Sequence, residues 1–162
     1  MTDTLRSICE QCTHLNQPQL EFLSADRSRH KEIILRDLKE LVSAATAGHD
    51  KTVVILGGSI LESVLYSFLQ SQETYIARRF SIEFTLNPEH SLQNFVNIFN
   101  RFFHDVLPNV ALSNFVVEYR DLVHINKELN SPPDICLSAS RDMLKILDRL
   151  LGELVQFGSP AA

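Results

Sequence analysis

Glycine and proline are scarce in this chain, with five and six residues respectively among 162. Loop-dominated or disordered chains carry far more of both, so a folded domain is expected. A positive surplus is also missing. Fifteen Lys and Arg against twenty Asp and Glu leave a formal charge of −5, which argues against a nucleic-acid binder working through bulk positive field and leaves room only for a local basic patch. No long apolar run is uninterrupted. Residues 52–72, TVVILGGSILESVLYSFLQSQ, come closest and hold a single charge, Glu62. A membrane span wants about 20 predominantly apolar residues. Ser, Gly and Gln interrupt every short apolar stretch here, so a buried core helix is expected and no membrane contact. Asp3, Arg6 and Glu10 do not belong in a signal peptide. Only three cysteines are present, as suits a reducing, cytoplasmic compartment. Cys9-x-x-Cys12 with His14 nearby has a metal-site look, but a structural zinc needs four ligands and only Cys136 adds a sulfur. Small buried or half-buried thiols are expected, with no metal and no cofactor. Internal repeats, low-complexity tracts, a Gly-rich phosphate loop, a Gly-x-Ser-x-Gly elbow and a His-Glu-x-x-His helix are all absent.

What is present is helical periodicity. At 162 residues and 44% hydrophobic content the chain suits one domain, residues 1–162, able to bury a core without staples. Residues 1–23 are weakly patterned, consistent with one short helix broken near Pro18. From Asp26 the spacing is clear: Ile34, Leu38, Leu41, Val42 and Ala45 share a face, and Gly48 ends the helix. Asp50 is placed to cap the helix over 51–72. Ile76, Phe80 and Phe84 step by four and predict helix within 73–86. Asn87-Pro88-Glu89 has the form of a helix start, followed by Leu92, Phe95, Val96, Phe99, Phe102 and Phe103 at three- and four-residue steps. That phenylalanine stripe reads as core. Pro108 precedes a helix predicted over 111–129. Ser131-Pro132-Pro133-Asp134 breaks the chain before a last helix to about Phe157, and residues 158–162 form a frayed tail. The expected fold class is an all-α bundle of five to seven helices.

Within 118–130, EYRDLVHINKELN, the helical wheel puts Phe115, Tyr119, Leu122, Val123 and Leu129 on one apolar stripe. Arg120, His124 and Lys127 fall together on a strip about 60° wide along its border. Val117 sits beyond His124, outside the stripe, where an isologous two-fold contact would use it. Residues four apart share a face, so Arg120 and His124 address one anion together. Histidine exchanges protons near neutral pH, and arginine forks onto two phosphate oxygens. Together they suit phosphodiester cleavage, and in RNA the 2′-hydroxyl supplies the nucleophile without a metal. Spacing alone is weak support: ten Arg and six His give roughly 0.4 such pairs by chance. A partly solvated Arg–His face is the ordinary alternative. Glu62, alone on an apolar helix, needs a cation or several donors if buried. It is expected within hydrogen-bond reach of Arg120, Tyr119 or His124, as an orienter of the pair or as a structural ion-pair partner.

ILGGSILESVLYSFL (55–69), VVEYRDLVHINKELN (116–130) and a long C-terminal helix resemble the HEPN superfamily over about residues 26–157. Many of its branches carry a pattern like YR-N/D-x-x-H, matched by Tyr119, Arg120, Asp121 and His124. The resemblance implies a helical bundle, usually a homodimer, of the kind found in toxin–antitoxin, abortive-infection, CRISPR-linked and RNA-processing systems. It implies that Arg120 holds phosphate, that His124 is the acid–base and that Asp121 is the polar follower, with the pair meeting its counterpart across the dimer and cutting RNA without metal. Catalytic members have four to six residues between Arg and His; this chain has three. Two functions follow as expectations. One is a metal-independent endoribonuclease or RNA-binding component of a prokaryotic defence or toxin–antitoxin system, with a cognate antitoxin as a possible protein partner. The other is a non-catalytic homodimerisation or protein-interaction module.

Overall fold

The computed structural model describes residues 4–23, 25–110, 112, 113 and 115–158, with backbone alone for 25, 115, 123, 125 and 126. The N-terminal segment forms two short helices, α1 (Leu5–Gln11) and α2 (Thr13–Asn16). The Thr4 hydroxyl caps α1 by accepting from the Ser7 backbone N–H at 3.3 Å. The start of α2 is instead capped from across the chain: Asp148 Oδ1 accepts from the backbone N–H of His14 at 2.7 Å and of Leu15 at 3.0 Å. That bond pins a weakly patterned segment onto the last helix.

α3 (Ser28–Thr46) runs as predicted, burying Ile34, Leu38, Leu41 and Ala45, with Val42 half-buried. Gly48 follows at φ 76°, a left-handed conformation that glycine reaches without Cβ strain. α4 (Asp50–Ser71) is the central element. Its predicted cap is corrected: His49 holds the N-cap position without a side-chain bond, and Asp50 lies in the first turn, where its charge complements the helix dipole. α5 (Glu73–Phe80) follows, and the chain is non-helical from Ser81 to Leu86. The predicted helix start at Asn87 is also corrected. The Asn87 side chain accepts from the Glu89 N–H at 2.9 Å and closes a local turn. α6 (Leu92–Phe103) begins later, capped by the Ser91 hydroxyl.

The helix predicted over 111–129 is two helices. α7 (Phe115–Arg120) ends in a 3-10 turn over Asp121–Val123, His124 is extended, and α8 (Ile125–Leu129) starts afresh. Residues 111 and 114 lie outside the described set. α9 (Ile135–Gly158) closes the bundle, and the expected frayed tail beyond Gly158 also lies outside it. Nine α-helices are present among the described residues, more than the expected five to seven because the N-terminal and 111–129 segments each divide.

α4 packs against α3, α6, α7 and α9. One apolar cluster runs from Leu5 in α1 to Leu154 in α9. α4 is long and apolar enough to cross a membrane by length and composition, but 61% of its most apolar window is buried in this bundle. Most of its apolar side chains are therefore occupied by the core, with Ile55 left 41% exposed. Gly57 permits that closeness, since a Cβ there would lie 2.2 Å from Met143 Cγ of α9.

Cys9 and Cys12 are free and buried, as expected from their sequence context. Among the described residues no group of His, Cys, Asp and Glu is arranged to hold a metal ion. Burial, with help from the Asp148 charge, pushes the Cys12 thiol up to about 12, and burial also raises Cys9. In the native protein at pH 8, both should resist a thiol reagent and react only on unfolding. Mass spectrometry of labelled native protein checks this, and rapid native labelling of Cys12 would contradict it.

Candidate functional site

Leu122 decides the local backbone. Its side chain is buried in a small second cluster with Val54 of α4 and Ala139 of α9. The 3-10 turn over 121–123 brings it there, and the His124 N–H bonds back to the Asp121 carbonyl at 3.0 Å. His124 then takes φ −83° and ψ 119° and caps α8, its carbonyl accepting from Lys127 and Glu128 N–H at 2.9 and 3.1 Å. The shared helical face inferred for Arg120, His124 and Lys127 is thus corrected: no continuous helix joins them.

The fold reunites two of the three. A cavity of about 350 Å³ is lined by Ile55, Ser59 and Glu62 from one face of α4 and by Arg120, Asp121 and His124. Gly58 makes this approach possible. A Cβ at that position would stand 3.0 Å from Arg120 Cγ and 3.2 Å from its Cβ, tighter than ordinary packing. The absence of a side chain lets Arg120 settle against α4. Two adjacent glycines in an otherwise apolar helix are the sequence signal for this close approach.

Arg120 Nη2 meets Glu62 Oε2 at 3.2 Å. The expected partnership is present, but its setting is corrected. Arg120 and Glu62 side chains are 45% and 31% exposed, so the pair is half-solvated rather than buried. The contact is at Nη2, at the end of a guanidinium that carries five N–H donors. The cost of losing the pair falls accordingly. Glu62→Ala should change stability by less than about 1 kcal/mol, the range of exposed pairs, rather than the ~3–5 kcal/mol of a broken buried one. Urea denaturation measures this; a loss above 3 kcal/mol would show that the pair acts as a buried one.

The remaining predicted residues separate. Asp121 lines the cavity and is half-buried. His124 is exposed there. Tyr119 turns to the other side of α7, where its hydroxyl donates to Asp142 Oδ2 at 2.8 Å, so it does not serve Glu62 through this bond. Burial and that bond push the Tyr119 phenol up to about 12. Lys127 is exposed on α8 and does not line the cavity. The neighbouring Glu128 instead ion-pairs with Lys51, which ties α8 to the start of α4 and holds the Glu128 carboxyl below its usual range.

Val117, expected outside the core stripe, is half-buried against the main cluster of its own chain. Leu129, placed on that stripe, is 74% exposed. The side chains of Phe115 and Val123 lie outside the described set.

A second cavity of about 270 Å³ adjoins the first. It is lined by Ser59, Glu62, Ser63, Tyr66, Pro88 and Phe95, so Ser59 and Glu62 border both. No protein-family model, no curated protein sequence and no solved structure matches this chain.

Proposed function

We propose that this chain is a HEPN-like, metal-independent endoribonuclease or RNA-binding protein, acting as a homodimer in the cytoplasm within a prokaryotic defence or toxin–antitoxin system. The observation carrying the reading is that Arg120 and His124 line one solvent-reachable cavity, with the Arg120 side chain 45% exposed. A nuclease needs both residues within reach of phosphate, whereas a scaffold can bury them.

The chemistry follows from the residue types. Arg120, held by Glu62, offers its remaining N–H donors to phosphate oxygens and stabilises the charge that builds at phosphorus. His124 removes the proton from the RNA 2′-hydroxyl, whose oxygen attacks phosphorus and forms a 2′,3′-cyclic phosphate. The 5′-oxygen leaves with a proton from a second acid, the role that His124 of a second copy fills. One copy supplies one histidine to this cavity, so pairing completes the acid–base set.

The test is incubation of purified protein with single-stranded RNA in EDTA. Cleavage leaving cyclic phosphate ends is expected. Failure to cut, together with failure to retain RNA, would overturn the reading. A non-catalytic homodimerisation or protein-interaction module is the second reading, favoured by Ile55, 41% exposed on the cavity wall, and by exposed Leu129. A protein that leaves RNA untouched yet sediments as a dimer would establish it.

A further inference from the structure

Glu62 stands between two cavities. Its Oε2 lies 3.2 Å from Arg120 Nη2, and the Glu62 side chain is 31% exposed. A part-exposed carboxylate on a cavity wall has acceptor capacity beyond one ion pair. The second cavity has room for a ligand that carries a donor. Its wall is largely apolar: Tyr66 and Phe95 have ring centroids 5.8 Å apart, tilted 53° to one another, and Pro88 lines the same space. Ser63, also on this wall, donates to the Ser59 carbonyl at 2.9 Å, which leaves its hydroxyl oxygen with acceptor capacity only. At about 270 Å³ the space falls just below the range of drug-sized ligands, as a single planar ring would require. The two cavities meet at Ser59 and Glu62, so a nucleotide with its phosphate on Arg120 has the second cavity beside it for its base.

We infer that this second cavity is a nucleobase subsite, with the Glu62 carboxylate selecting bases that carry an exocyclic amino group. The inference rests on the RNA reading of the adjoining cavity and deepens it. Cytosine presents its N4 amine to a carboxylate directly, a pairing that glutamate makes with cytosine elsewhere in nucleic-acid recognition. Uracil has a carbonyl oxygen at that position and carbonyls on both sides of its N3–H, so the same carboxylate repels it. Tyr66 contributes an apolar, base-tolerant surface and no discrimination. Glu62 is therefore a specificity residue that also positions Arg120.

Fluorescence anisotropy with labelled ten-residue oligo(C) and oligo(U), at fixed low salt and pH 7.5, tests the assignment. The native protein should bind oligo(C) about tenfold more tightly, the lower part of the range for a matched side-chain–base contact. Glu62→Gln keeps an acceptor for Arg120 and adds an amide donor for the uracil carbonyl, so the ratio should fall to about one. Tyr66→Ala should weaken both oligomers alike. Equal native affinity for the two, with binding still lost in Arg120→Ala, would overturn the base subsite alone. An unchanged ratio in Glu62→Gln would do the same. No binding of either oligomer would overturn this inference and the RNA reading together.

Discussion

His124→Ala is expected to slow RNA cleavage by at least 100-fold while leaving the fold intact. Positioned acid–base catalysis contributes about 10²–10⁴ in rate, and alanine cannot carry a proton. Arg120→Ala should cost a similar factor, because a donor aimed at developing charge is worth about 10²–10³. The structural side effects should be small. His124 is exposed, and Arg120 shares a half-solvated pair with Glu62, so each change should alter stability by about 1 kcal/mol or less. Initial rates on a single-stranded RNA in EDTA, set beside urea melts of the same proteins, separate the two effects. A fully active His124→Ala protein would remove that residue from the mechanism. Arg120→Lys would add a finer distinction, since lysine keeps the charge but loses the two-pronged grip on phosphate.

Phe68→Ala should be the most destabilising single change, by about 3–5 kcal/mol. Phe68 is fully buried in α4, and its ring lies 5.0 Å from Phe103, 5.7 Å from Phe157, 6.1 Å from Phe99 and 6.3 Å from Phe22, centroid to centroid. These rings belong to α6, to α9 and to the segment leading into α3. Removing the central ring takes away the apolar burial and leaves a cavity that four separate elements border. The site lies toward the other half of α4, beside Ile55, Ser59 and Glu62. Residual RNA cleavage at low temperature would therefore persist in whatever fraction stays folded. A midpoint shift in urea equivalent to less than 1 kcal/mol would show that the aromatic cluster is not the keystone of the core.

The helical elements and much of the core were legible because they depend on periodicity. Ile34, Leu38, Leu41 and Ala45 in α3, and Leu92, Phe95, Val96, Phe99, Phe102 and Phe103 in α6, repeat at the spacing that gives one face of a helix to a core, and each is buried. Gly48 could be read as a stop because its left-handed φ is one that other residues rarely take. Asn87-Pro88-Glu89 misled because a proline after a capping side chain serves a turn as readily as a helix start. The Ser91 hydroxyl four residues on was the cap that held.

The candidate site divides along the same line. The residue types in Arg120, His124 and Glu62, and therefore their possible chemistry, were determined by the sequence alone, as was the pull of an isolated glutamate toward a cation. How they meet was decided by the tertiary structure. No proline or glycine interrupts 115–130, and the wheel is continuous there. The break falls at Leu122, which is buried with Val54 and Ala139 where the backbone tightens into a 3-10 turn and His124 extends. Helix propensity differs among ordinary residues by less than about 1 kcal/mol, whereas burying a leucine is worth about 1.5–3 kcal/mol, so the tertiary contact overrides the local pattern. Tyr119 on α7 bonds Asp142, Lys127 beyond the turn lies outside the cavity, and Gly58 admits Arg120 to the surface of α4. Spacing along a chain encodes which side chains share a helix, but which helices touch depends on contacts between residues far apart in sequence.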